Sequence, residues 1–262
     1  MHAPLVLTTP HGTATIHPLG ATVLSWLPAG QPDVLWVSPL ASYAEGRAIR
    51  GGIPVCWPWF AADPAHPQGP SHGLVRTRLW QLDDHTTGGD TAHARWHIDH
   101  DDASVFPPFR LELSVTLGVD LTLRLTHHDR SGPGAACRGA LHSYLAADAH
   151  RATVHGLGAV RAYDKVTQRH RHLPEPVAFD GPTDLVVPTA GLATLHDGHR
   201  RIEVHREDAP DVVLWNPGNQ RPSDVPEGGE GGFVCVEAAA VSEPWQVAAG
   251  GHRTLQMRLV AR

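Results

Sequence analysis

The sequence predicts an all-β fold, a large antiparallel β-sandwich with few short helices. Three observations predict it. Short runs alternate apolar and polar residues, glycine and proline punctuate the chain from end to end, and nothing keeps a long helical period or a strand–helix rhythm. At 41% hydrophobic and 18% charged the chain can bury a large core and lacks the charge excess of disorder. The 26 Gly and 23 Pro are spread without a break that would mark a linker, so residues 1–262 are expected to form a single domain.

Along the chain, the first strong local signal is RGGIPVCWPWF at 50–60. Pro54 and Pro58 lack the donor a helix interior or central sheet ladder needs, which predicts an irregular, packed loop. Gly51 and Gly52 allow a turn or a close approach, and Trp57, Trp59 and Phe60 are too apolar for water. Such a segment is either the wall of a ligand pocket or an aromatic plug sealing one end of a β-structure. At 111–126, LELSVTLGVDLTLRLT puts Leu111, Leu113, Val115 and Leu117 on one face, then Leu121, Leu123 and Leu125 on one face after Gly118, Val119 and Asp120. That is a β-hairpin pattern. The same alternation predicts strands at 201–205, 233–237 and 254–260, while 131–134 (SGPG) and 226–232 (PEGGEGG) read as surface connections.

A formal charge of -6 argues against a nucleic-acid partner and means that any anionic ligand must meet a local cationic patch. Of 21 basic residues, Lys165 is the single lysine. Cys56, Cys137 and Cys235 show no paired spacing and the N-terminus has no signal pattern, so a cytoplasmic location is expected. No apolar run approaches the ~20 residues that cross a bilayer, so no membrane partner is expected.

The 20 histidines invite a metal hypothesis, and His93, His97 and His100 have spacing that would share one helix face. Glycines and acidic residues flank them, and the glutamate of a zinc-protease motif is missing. No metal site is expected. A more specific set is PSHGLVR at 70–76, ALHSY at 140–144 and VCVE at 234–237. Strand alternation puts His142 opposite Leu141 and Ser143, either lining a cavity or satisfied in a core, and puts Glu237 on the face of Phe233 and Cys235, where a carboxylate needs a partner. Each alone could be structural. Together, a buried acid and an imidazole are what two-way proton transfer requires.

RGGIPVCWPWF, PSHGLVR, LHSYLAADAHRATVHGLG, Tyr163-Asp164-Lys165, Trp215-Asn216-Pro217-Gly218 and FVCVE, in this order from about Asp33 onward, resemble the hexose-6-phosphate mutarotases of the aldose 1-epimerase superfamily. The resemblance implies a galactose mutarotase-like supersandwich and interconversion of sugar anomers with no metal or other cofactor. It makes His142 the general acid and Glu237 the general base, and it matches Arg50 and Arg76 to substrate-holding arginines. Ser71 and His72 lie at the approach to Arg76, and Asp184 matches a residue that contacts sugar hydroxyls. Leu74-Val75 stands where the family often has Phe-Ala, and Ser71 replaces a longer polar residue, so pocket shape should differ. In this reading Arg50 grips the anionic end of a sugar phosphate, Gly51 and Gly52 let the backbone bend close to it, and Trp57, Trp59 and Phe60 wall the pocket. Carboxylate and imidazolium should support each other's charge. The expected partner is a small-molecule sugar phosphate, with the chain a monomer or weak homo-oligomer. Rival readings are an aldose 1-epimerase for unphosphorylated sugar, a non-catalytic carbohydrate-binding sandwich and a histidine-rich metalloprotein.

Overall fold

The computed structural model describes residues 2–62 and 67–262. Strands dominate, and the helical content of the described residues is one 3₁₀ turn at Gly229–Gly232. Leu5–Thr9, Gly12–His17 and Thr22–Pro28 form a three-stranded sheet, and the remaining strands form an eight-stranded and a nine-stranded sheet. No helix is long and apolar enough to cross a membrane.

The predicted hairpin is the middle of the nine-stranded sheet. Phe109–Leu117 and Leu121–Asp129 pair antiparallel from Leu117↔Leu121 outward, and all seven alternating apolar residues named above are buried. Fully burying each such side chain is worth about 1.5–3 kcal/mol. Against them lie Leu185, Val187, Val212, Leu214, Val234 and Val236 of the eight-stranded sheet, all in the same apolar cluster. Alternation then leaves the other face of that sheet to Asp184, Val213, Trp215, Cys235 and Glu237, and this outward face carries the chemistry.

RGGIPVCWPWF departs from its expected form in two ways. It is not wholly irregular: Val55–Cys56 is a short strand paired with Leu141 and Ala140. Nor do all its aromatics wall a pocket. Trp57 and Trp59 are buried in the main core, with Trp57 Nε1 donating to Nδ1 of His127 and Trp59 Nε1 to the Pro70 carbonyl. Indole rings this large are favoured where their area is fully removed from water and the N–H still finds an acceptor. Gly51 and Gly52 face protein rather than ligand. A Cβ at either would lie 2.4 Å from the Trp36 carbonyl oxygen or 2.2 Å from that of Val23, and both have positive φ (114° and 67°).

His93, His97 and His100 fall on a strand, Ala92–His100, rather than a helix. Alternation sends His93 and His97 to one side, beside Asp84 (3.3 Å) and Asp83 (2.6 Å), and His100 to the other against the Asp102 and Phe106 carbonyls.

The strand Phe233–Val247 carries Glu237 and is bulged between Ala240 and Trp245. Asp211, fully buried, holds that bulge: its carboxylate accepts from the backbone N–H groups of Val241 (2.7 Å) and Ser242 (2.8 Å) and from the Ser242 hydroxyl (2.6 Å). Asp211→Ala should lower the unfolding free energy by about 2 kcal/mol or more, because it removes a charged acceptor from three donors. Urea denaturation reads that loss as a lower midpoint.

Candidate active site

The site is built from rows on the outward face of the eight-stranded sheet. Pairing sets Glu237 beside Val213 and Val213 beside Val186, and sets Cys235 beside Trp215 and Trp215 beside Asp184. The strand ending at Leu141 pairs with Ala238, and the next begins at Tyr144, paired with Cys235. One register runs through both pairings, so His142 and Ser143 fall opposite Glu237 and Val236. Ser143 turns inward, its hydroxyl donating to the Val236 carbonyl (2.5 Å), and His142 turns outward. On its other side this strand leans on the glycine-proline segment, with the His142 N–H donating to the Pro54 carbonyl (3.0 Å) and the Tyr144 N–H to that of Gly52 (2.9 Å).

His142 Nδ1 lies 3.3 Å from Glu237 Oε1, with side-chain exposures of 7% and 0%. Neither His142 Nδ1 nor either Glu237 oxygen makes a hydrogen bond among the described residues. Both groups line a cleft of about 340 Å³ together with Arg50, Ser71, His72, Arg76 and Asp184. The residues that the resemblance matches to acid, base and substrate-holding roles therefore line one hollow.

Its frame comes from residues whose role the sequence did not disclose. Tyr144 stacks nearly parallel on the His142 ring (4.8 Å, 8°), and its hydroxyl accepts from Arg50 Nη1 (2.8 Å). Arg50 Nε is held by Asp224 (3.0 Å). Trp215 meets His142 edge-on at 5.9 Å. Lys165 Nζ contacts Asp184 (2.7 Å) and sits 5.6 Å from the centre of the Phe60 ring. Phe60 is the one aromatic of its segment that lines this cleft. Tyr144 could have been found by its two-residue spacing from His142, and Lys165 by its uniqueness in the chain. Asp224, in a proline-flanked loop, gives no such signal.

The three basic side chains differ in what they have left to offer. Arg50 has a carboxylate and a phenol, and Lys165 has a carboxylate. Arg76 has only the Ser71 carbonyl on Nη2 (2.9 Å), and its buried Nε has no acceptor among the described residues. His72 accepts from the Ala61 N–H at Nδ1 (3.3 Å), which leaves its proton on Nε2, and burial with Arg76 and Lys165 nearby pushes it down to about 3. It is a neutral donor.

The expected mutual support of carboxylate and imidazolium is not what the site provides. Burial, then His72, Arg76 and Arg50, hold His142 well below its ordinary value. Burial and the Asp184 carboxylate hold Glu237 well above its own, against the pull of Lys165 and Arg76. Desolvation works against both charged forms, so burial narrows the ordinary gap between an imidazole and a carboxyl. Such a pair can take a proton at one atom and give one at another, which suits acid–base chemistry on a hydroxylated ligand.

The sequence signature described as aldose 1-epimerase matches residues 4–259. A protein of Escherichia coli (strain K12) named "Putative glucose-6-phosphate 1-epimerase" is 34% identical over 256 residues, covering 93% of this chain and 85% of its own. One of the same name from Salmonella typhimurium is 33% identical over 255 residues, covering 92% and 84%. The crystal structure of a "putative mutarotase" from Salmonella typhimurium superposes with a TM-score of 0.91 at 31% identity, covering 98% of this chain and 90% of that one.

A carboxyl whose value rises on folding binds its proton more tightly in the folded chain. Between the unfolded value of about 4.3 and the raised folded one, stability therefore falls as pH climbs, by about 1.4 kcal/mol per pH unit. Glu237→Gln removes that slope. Urea unfolding should find variant and wild type alike near about pH 4 and the variant increasingly more stable as pH rises from there toward the raised folded value.

Proposed function

The chain belongs to the aldose 1-epimerase family, and on that premise we propose that it is an isomerase interconverting the α and β anomers of a hexose 6-phosphate. The observation that carries this reading is the buried His142–Glu237 pair, 3.3 Å apart, with His142 Nδ1 and both carboxylate oxygens lacking hydrogen-bonding partners among the described residues, in a cleft edged by the half-satisfied Arg76. A volume of about 340 Å³ suits one small ligand, at the low end of the roughly 300–1,000 Å³ typical of such sites. In this reading residues 1–262 act as one domain, since both large sheets share a core and the site draws on segments from Arg50 to Glu237.

Ring opening needs a proton on the ring oxygen and one removed from the anomeric hydroxyl. His142 gives its proton to the ring oxygen while the Glu237 carboxylate takes the hydroxyl proton. The bond from the anomeric carbon to the ring oxygen breaks and the carbonyl forms. The pair is then neutral imidazole and carboxylic acid, the distribution that burial favours. After rotation about the neighbouring carbon–carbon bond, Glu237 returns its proton to the carbonyl oxygen and His142 takes the chain hydroxyl proton, closing the ring in the other configuration. Protons and electron pairs balance over the cycle.

Arg76, whose buried Nε has no acceptor among the described residues, is the phosphate ligand in this reading, because a guanidinium offers donors in a fork that fits phosphate oxygens. Arg50, already bonded to Asp224 and Tyr144, adds positive field and fixes the ring that stacks on His142. Asp184 and His72 supply an acceptor and a neutral donor for sugar hydroxyls, and Ser71 lines the same approach.

Removing either proton-transfer group should lower catalysed anomer exchange of glucose 6-phosphate by about 10²–10⁴. Magnetisation-exchange NMR on His142→Ala and Glu237→Gln measures it, and a folded variant with the wild-type rate removes that residue from the mechanism. Arg76→Ala should raise KM for the 6-phosphate by about 10–100-fold, the worth of a charged hydrogen bond, and change it far less for glucose. Equal effects on both sugars would point to an unphosphorylated substrate.

A further inference from the structure

Cys235 precedes Glu237 by two residues on the same strand and shares its outward face, in the row of Tyr144 and Trp215. Its thiol sulfur, a ring nitrogen of His142 and a carboxylate oxygen of Glu237 all lie within 4.8 Å of one another. The proton-transfer reading uses the last two atoms and gives the thiol no task. All three side chains are buried, and His142 Nδ1 and both carboxylate oxygens of Glu237 have no hydrogen-bonding partner among the described residues.

From this geometry we propose that Cys235, His142 and Glu237 form a binding site for a thiophilic divalent cation of the zinc class, and that a cation bound there shuts the cleft to substrate. Zinc binds sulfur at about 2.3 Å and nitrogen or oxygen at about 2.0–2.2 Å, so donors on one ion sit within about 4 Å of each other. His142 and Glu237 already meet that condition, and a small inward movement of the thiol completes it. One sulfur, one imidazole and one carboxylate favour zinc, cadmium or cobalt over magnesium or calcium, which prefer all-oxygen sets. Three protein donors leave a fourth position open toward the cleft, through which the ion arrives.

Inhibition follows if His142 and Glu237 are the acid and base, and that part alone rests on the proposed function. The site itself is tested by titrating cobalt(II) into the apoprotein and recording absorption. The expected result is a near-ultraviolet sulfur-to-cobalt band with intense visible bands of a four-coordinate ion. The sulfur band should vanish in Cys235→Ser, with uptake weakened at least about 10-fold, since even groups behind the ligands contribute 10–100-fold. Glu237→Gln keeps the thiol and should weaken uptake as well, so a serine variant that fails to fold does not leave the question open. The inference is overturned by no uptake, by uptake without a sulfur band, or by a spectrum unchanged in Cys235→Ser. Zinc should displace the cobalt, arrest anomer exchange of the wild type, and leave Cys235→Ser far less sensitive. If glucose 6-phosphate does not compete with cobalt while the sulfur band is present, the reading of the cleft as a sugar site fails and the metal site stands.

Discussion

Two ionisable side chains are held out of water with none of their facing atoms satisfied among the described residues, and the rest of the site is arranged around that constraint. A buried polar group without a partner costs about 1–3 kcal/mol, so His142 and Glu237 together are a standing charge against stability. The fold can carry it because neither residue is free to turn away. One antiparallel register fixes both, the Tyr144 and Trp215 rings hem the imidazole, and Asp211 pins the bulge downstream on the glutamate's strand. Groups locked in this way need little reorganisation when a ligand's hydroxyls arrive to satisfy them.

Charge around the pair is balanced locally although the chain as a whole is negative. Asp224 holds Arg50 and Asp184 holds Lys165, so these cations shape the cleft without leaving it strongly positive. Arg76 is the exception, and its position decides which end of the hollow attracts an anion. The segment that begins with Arg50 serves mainly as a buttress. Its glycines allow the Trp36 and Val23 backbones to close in, and its carbonyls hold the strand of His142 and Tyr144.

How much of this could be read from the sequence depended on how local each feature is. The hairpin after Phe109 and the facing of Phe233, Cys235 and Glu237 follow from a period of two and were legible. So was the outward turn of His142. That His142 meets Glu237 was not, because 95 positions of chain separate them and only the sheet's register brings them together. The aromatic cluster was misread for a related reason: Trp57 and Phe60 have the same chemistry, and only the topology decides that one faces the core and the other the cleft. Local pattern allowed a close approach at Gly51 and Gly52 but did not show that the approaching group is the distant backbone of Trp36 and Val23. The residues that the resemblance implies all line the hollow, but the direction in which their protons are shifted is set by burial that no single segment reveals.

That protonation state explains why an imidazole and a carboxyl should be placed in so dry a position. In water the two differ by about two pH units, near 6.5 and 4.3, so a shared proton prefers the imidazole. A catalyst that opens and closes a ring by passing the proton back and forth gains from erasing such a preference, since a strongly favoured end state becomes a trap for half the cycle. Burial lowers the imidazole and raises the carboxyl, moving the two toward equality. The same dryness restrains nucleophiles beside a free aldehyde. Cys235 is kept as a thiol and the Lys165 amine is tied to Asp184, so neither is poised to attack the open-chain sugar.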